Sequence, residues 1–123
     1  MRLNPDCIRD ILLKLEEITD GSIVFDVGEY NYQEYTDKYS SQEFYYHVRQ
    51  CFYHNFLIGT DRGNYINVRD ISPAGHAFLE NIRNDNNWNK TKEIATKVGS
   101  FSLNALKDIA VGVVSAGITA SLK

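Results

Sequence analysis

Apolar residues recur at three- and four-residue spacing near the start of the chain, at Ile8, Ile11, Leu12, Leu15 and Ile18. That period places them on one face of a helix. Asn4 supplies an N-cap, Pro5 suits the first helical position and Asp6 favours the positive end of the dipole. Asp20-Gly21 ends the pattern. Alternation then takes over, and Ile23, Phe25 and Val27 fall on one side of a strand across residues 22–27. Residues 28–39 are polar and tyrosine-rich with no clean period. An extended arm and a short irregular helix both fit them.

The stretch "SSQEFYYHVRQCFYHNFLIG", from Ser40 to Gly59, predicts a second helix capped by Ser40 or Ser41. At 100° per residue, Phe44, Val48, Cys51, Phe52 and Asn55 fall on its buried side. Gln42, Tyr46, Arg49, Gln50 and Tyr53 fall on the other. Leu57-Ile58 and Tyr65 to Ile71 read as two strands joined by "GTDRGN", a run of turn formers. Ser72-Pro73 opens another helix that buries Ala74, Phe78, Leu79 and Ile82. "NDNN" at 84–87 caps a helix carrying Trp88, Ile94, Ala95 and Val98, which Gly99 ends. Ser102 caps a last helix with Leu103, Leu106, Ile109, Ala110, Val113, Val114 and Ile118.

The order is helix, strand, irregular segment, helix, hairpin and three helices. It predicts an α+β chain: a winged helix-turn-helix with a small antiparallel wing and additional C-terminal helices. The middle helix of that fold is degraded here. Residues 1–99 are expected to form the winged-helix domain, and 100–123 an apolar packing and oligomerisation helix.

At this point specific motifs become informative. "YHV" at 46–48, "LIG" ten residues on, "ISPAGHAFLENIR" and "WNKTK" resemble the YjcQ-like family. That is a domain of unknown function from Gram-positive bacteria and their prophages. Its leucine-threonine-x-x-glycine-histidine-x-phenylalanine-leucine block is met by Ile71, Ser72, Gly75, His76, Phe78 and Leu79, two of them conservative departures. The resemblance covers nearly the whole chain. It implies a winged-helix fold and a phage or prophage setting, and it brings no activity.

Composition narrows the function. A length of 123 residues suits one domain, and no apolar leader follows Arg2. The charge-free apolar run Ile109 to Leu122 is shorter than the about 20 residues that cross a bilayer, so a spanning helix is not expected. Cys7 and Cys51, the two cysteines present, make no disulfide framework, and a cytoplasmic setting follows. Charge is unevenly placed. Residues 1–56 hold five basic side chains against ten acidic, whereas 57–123 hold eight against six. A phosphate-binding element wants the opposite sign.

Each candidate site has a bland counterpart. Gln42, Tyr46, Arg49, Gln50 and Tyr53 could read base edges from a major groove, with Arg62 at the hairpin tip reaching a phosphate or minor groove. The same face could be solvated, or meet another protein. His47, Cys51 and His54 line one helix edge with metal-ligand chemistry, but no fourth ligand accompanies them. A core cysteine between two boundary histidines is the better account, so no metal or other cofactor is expected. His76 lacks a catalytic partner, and its ring is expected to bond the wing backbone while Gly75 allows close helix–sheet approach. Seven of the eight tyrosines lie between Tyr30 and Tyr53 in an acidic setting, which suits a protein interface better than a single-stranded base platform.

The last helix is apolar around more than half its circumference. Leu106, Ile109, Val113, Val114 and Ile118 are the expected contacts of a homo-oligomer, in preference to a membrane. No enzymatic constellation emerges. The expected function is a winged-helix DNA-binding regulator of phage or prophage type. Its alternative is a non-enzymatic interaction module acting on a host protein.

Overall fold

The computed structural model describes residues 1–122 and has mixed α+β architecture. By compactness the chain forms two units, Met1–His76 and Ala77–Lys123. The division falls inside the third α-helix and not at Gly99, because the two helices flanking Gly99 pack on each other.

In the first unit, α1 (Pro5–Ile18) starts where Asn4 accepts from the backbone N–H groups of Asp6 and Cys7. Its stripe buries Cys7, Ile8, Ile11, Leu12 and Leu15. β1 (Phe25–Gly28) is shorter than the alternation predicts. Ile23 lies ahead of it, 58% exposed, and does not share a buried face with Val27. The ladder with β3 begins only at Phe25, so nothing orders the earlier residues into the pleat. A short 3₁₀ helix, Glu29–Glu34, follows. Asn31 anchors it, its amide donating to the Asp26 carbonyl and its oxygen accepting from the Gly28 N–H.

Ser40 caps α2 (Ser41–Tyr53) through the Glu43 N–H. Phe44, Tyr45, His47, Val48 and Cys51 are buried. Phe52 is only half-buried and Asn55 is exposed, both corrections to the predicted stripe. Asn55 has left the helix. It adopts φ 63°, and the Phe56 N–H returns to the Cys51 carbonyl at 2.9 Å while the Asn55 N–H meets that of Phe52 at 3.0 Å. This Schellman-type ending swings Phe56 into the core, where it is fully buried.

β2 (Leu57–Asp61) and β3 (Tyr65–Ile71) form a hairpin, and β1 pairs antiparallel on the other side of β3. The spatial order is β1-β3-β2. β2 runs through Gly59, Thr60 and Asp61, so the connection is Arg62–Asn64, tighter than the six-residue loop expected. Ile58 pairs with Asp70 but Gly59 with Val68, which leaves Arg69 as the extra residue of a bulge. A Cβ on Gly59 would fall on the carbonyl of Asn67. Only glycine fits.

α3 (Pro73–Ile82) begins with Ser72, whose hydroxyl accepts from the Gly75 N–H and donates to the Asn55 carbonyl. A Cβ on Gly75 would strike the Phe56 carbonyl and the Ile71 side chain, so close approach at this glycine is real. Ala74 and His76 are exposed, contrary to the buried alanine and backbone-bonded histidine expected. Gly75, one residue along, takes the inward position instead.

In the second unit, α4 (Asp85–Val98) is capped by Asn84, and α5 (Leu103–Ser121) by Ser102. Trp88, Thr91 and Ala95 of α4 are buried, as are Leu103, Leu106 and Ala110 of α5. Val98, expected inside, is 67% exposed. Leu106 is fully buried, which removes it from the expected oligomer contacts: it sits one turn from both Leu103 and Ala110 on the inward stripe. Beyond Ala110 the helix stays largely uncovered. By length and composition it is the one helix among the described residues long and apolar enough to cross a membrane, and it is mostly exposed.

Candidate functional site

The exposed side of α2 meets the hairpin turn in a connected polar network. Tyr45, Arg49 and Tyr53 follow one another at four-residue spacing and so share one helix edge. The Arg49 guanidinium donates to the Tyr53 hydroxyl from Nη2 at 2.9 Å and from Nε at 3.3 Å. It lies 5.8 Å from the Tyr45 ring centre and 5.5 Å from that of Tyr53, within cation–π range. Tyr53 passes the connection on, donating to Asp61 Oδ2 at 3.1 Å. Asp61 Oδ1 accepts from the Gly63 N–H at 2.9 Å, and the Tyr45 hydroxyl donates to the Gly63 carbonyl at 3.1 Å.

The geometry has an electrostatic consequence. Arg49 keeps its charge, held by the Tyr53 hydroxyl, but Asp61 balances that charge one hydroxyl away. Of the residues predicted for a nucleic-acid face, Arg49 and Tyr53 come together with Asp61. Gln42 lies exposed on the same side, Tyr46 and Gln50 are half-buried, and Arg62 is exposed at the turn. Tyr45 and Asp61 were missing from the predicted set. The four-residue spacing to Arg49 was the available signal for Tyr45; nothing local pointed to Asp61.

The tyrosine-rich segment is less uniform than its composition suggests. Tyr39 donates to Asp10 Oδ2 at 2.6 Å, tying residues 28–39 to α1, and burial with this bond raises its hydroxyl pKa. Tyr35 stacks on Phe44 at 6.0 Å and donates to the Asp26 carbonyl. Burial first, then the Glu34 carboxylate, pushes Tyr35 up to about 12. These two are structural. Tyr30 remains 68% exposed, its ring edge-on to Tyr65, and Tyr53 is 51% exposed.

His47 is fully buried, not a boundary residue. Its Nε2 accepts from the Asn4 N–H at 2.7 Å and its Nδ1 donates to the Glu43 carbonyl at 2.7 Å. Both ring nitrogens are therefore occupied by backbone, and the ring joins the start of α1 to α2. Among the described residues no three His, Cys, Asp or Glu side chains group as metal ligands. Cys7 and Cys51 are fully buried. Burial, helped by Glu43 and Asp10, pushes the Cys7 thiol up to about 12, and burial likewise raises Cys51. Neither supplies a thiolate nucleophile near neutrality.

That shift makes a pH prediction. Cys7 is protonated longer in the folded chain than in the unfolded one, whose thiol has the ordinary value 9.0. Its contribution is therefore complete below pH 9 and is lost as pH rises from 9 toward 12. Urea midpoints across that range are expected to fall, and Cys7→Ala to flatten the decline. A thiol reagent should label the native chain far more slowly than the unfolded one.

The profile of the family described as Hypothetical protein (DUF2513) matches residues 2–102. The chain belongs to this family. An uncharacterized protein of Haemophilus influenzae is similar to this DUF2513 protein, 31% identical over 122 residues, covering 94% of the chain and 97% of the relative. No solved structure matches. The resemblance to the YjcQ-like family rests on the quoted motifs alone. The α2–hairpin network lies wholly within the stretch that the DUF2513 profile covers.

Proposed function

We propose that residues 1–76 are a winged helix used, without catalysis, to dock another protein. The fold part of this reading is supported by element order and sheet order together. A helix, a strand, a short helical segment, a longer helix and a hairpin are followed by pairing of the first strand onto the last. In that scheme α2 takes the recognition-helix place, the Glu29–Glu34 turn replaces the middle helix, and β2–β3 is the wing.

The observation that carries the choice of partner is the balanced charge at the α2–hairpin edge. DNA affinity grows with phosphates neutralised by free cations. Here Arg49 is tied through Tyr53 to Asp61, and the unit as a whole holds seven basic against twelve acidic side chains. Exposed Tyr30 and Tyr53 supply rigid, amphipathic contact area of the kind enriched at protein interfaces. In the phage or prophage setting that the YjcQ-like resemblance implies, the partner is a host protein in the cytoplasm. No metal or cofactor is required.

A second reading, sequence-specific binding of double-stranded DNA, is favoured by exposed Gln42 and by Arg62 at the tip of the turn. One experiment separates them. The full chain is passed over double-stranded DNA at low salt, and in parallel co-purified from the host. Protein docking predicts no retention on DNA, together with a co-purifying protein whose binding the Tyr30→Ala, Tyr53→Ala pair weakens about tenfold or more. Retention that Arg49→Ala and Arg62→Ala abolish would overturn it in favour of DNA.

A further inference from the structure

We infer that the groove between α4 and α5 is a self-association surface, and that its occupant is the same face of a second copy of this chain. The inference concerns residues 77–122 and is independent of what the α2–hairpin edge binds. The groove has a volume of about 570 Å³ and is lined by Ile94 and Lys90 of α4 with Ile109, Gly112, Val113 and Ala116 of α5. Ile109 and Val113 were expected contacts. Val114 and Ile118 lie away from it, lining a second depression toward the end of α5. A Cβ on Gly112 would meet nothing within 4 Å, so the notch there is open and not filled by the chain's own packing.

Three features select a second copy as the occupant. First, Ile109 to Leu122 carries no charge, so two α5 helices can lie side by side without repulsion. Gly112 and Ala116, four residues apart, allow their backbones to approach closely. Second, the Thr119 hydroxyl on the Gly112 side of α5 already has a partner, donating to the Ser115 carbonyl at 3.1 Å.

Third, the two rims carry opposite charges. Lys90 stands on the α4 side, and Asp108, one turn before Gly112, on the α5 side. Both are exposed, and among the described residues neither has an ion-pair partner. In a twofold pair with antiparallel α5 helices, each Lys90 faces the partner's Asp108, and the contact is made twice. A bilayer has no such complement to offer. It would place the Asp108 carboxylate at its surface, and it would use the opposite edge of α5, where Val111, Ile118 and Leu122 are exposed.

The test is sedimentation equilibrium on the full chain, with circular dichroism to confirm folding of every variant. The wild type is expected to form a concentration-dependent dimer. Gly112→Leu fills the open notch and should weaken it at least about tenfold, as should Lys90→Asp or Asp108→Lys alone. The double variant Lys90→Asp, Asp108→Lys should restore dimerisation, which a merely structural effect would not do. A monomer at all concentrations overturns the inference. So does a dimer indifferent to Gly112→Leu and to both charge reversals. Co-sedimentation with anionic vesicles that Ile118→Ser removes and Gly112→Leu leaves intact would likewise overturn it, in favour of a bilayer.

Discussion

Gly59→Ala is expected to destabilise the first unit by at least about 3 kcal/mol, the upper range for overpacking. The added methyl would occupy the position of the Asn67 carbonyl, with the Val68 backbone just behind it. Backbone cannot rotate aside as a side-chain tip can. The strands would have to separate, and Gly59 is where the ladder already changes register, between Ile58 and Gly59. The damage would reach the core, because Leu57 on β2 and Ile66, Val68 and Ile71 on β3 are all buried. Domains are stable by only about 5–15 kcal/mol, so a lowered urea midpoint and poor soluble yield are both expected. A thermal midpoint equal to that of the wild type would show that the two strands are not held at this spacing.

His47→Ala is expected to cost about 2–4 kcal/mol through two separable effects. The first is the cavity left by a fully buried ring. The second is the loss of partners on two elements, since the Asn4 N–H and the Glu43 carbonyl both bond this imidazole. Asn4 is the N-cap of α1, so its backbone position matters beyond one bond. His47→Phe separates the effects. It refills most of the volume but leaves the Asn4 N–H unpaired, so it should retain about 1–2 kcal/mol of the loss. Urea denaturation of the wild type and the two variants measures both. Equal stability of all three would mean that the ring neither fills nor links.

These two residues mark where sequence reasoning ends. Gly59 reads as a turn former beside Asp61, Gly63 and Asn64, since a strand glycine without a side chain leaves no other trace. His47 reads as a boundary residue because it neighbours the buried stripe without being apolar. Its partner, Asn4, lies 43 residues away. The network at Arg49 divides in the same way. The four-residue ladder to Tyr45 and Tyr53 is helix geometry, whereas Asp61 arrives from the adjoining strand.

Local chemistry in the chain settled where the helices begin. Asn4, Ser40, Ser72, Asn84 and Ser102 each place a side-chain acceptor one residue before a helix, and each bonds an early N–H there. The apolar periods settled which face of α1 turns inward. Such signals act within four residues, because that is the span of a cap or a helical turn. Tertiary structure decided the rest: β1 on the outer side of β3, Asn55 turned out of the helix so that Phe56 enters the core, and Arg49 balanced by Asp61. An apolar stripe states that a face must be covered without naming what covers it, and a polar group records its need for a partner but not the partner's place in the chain.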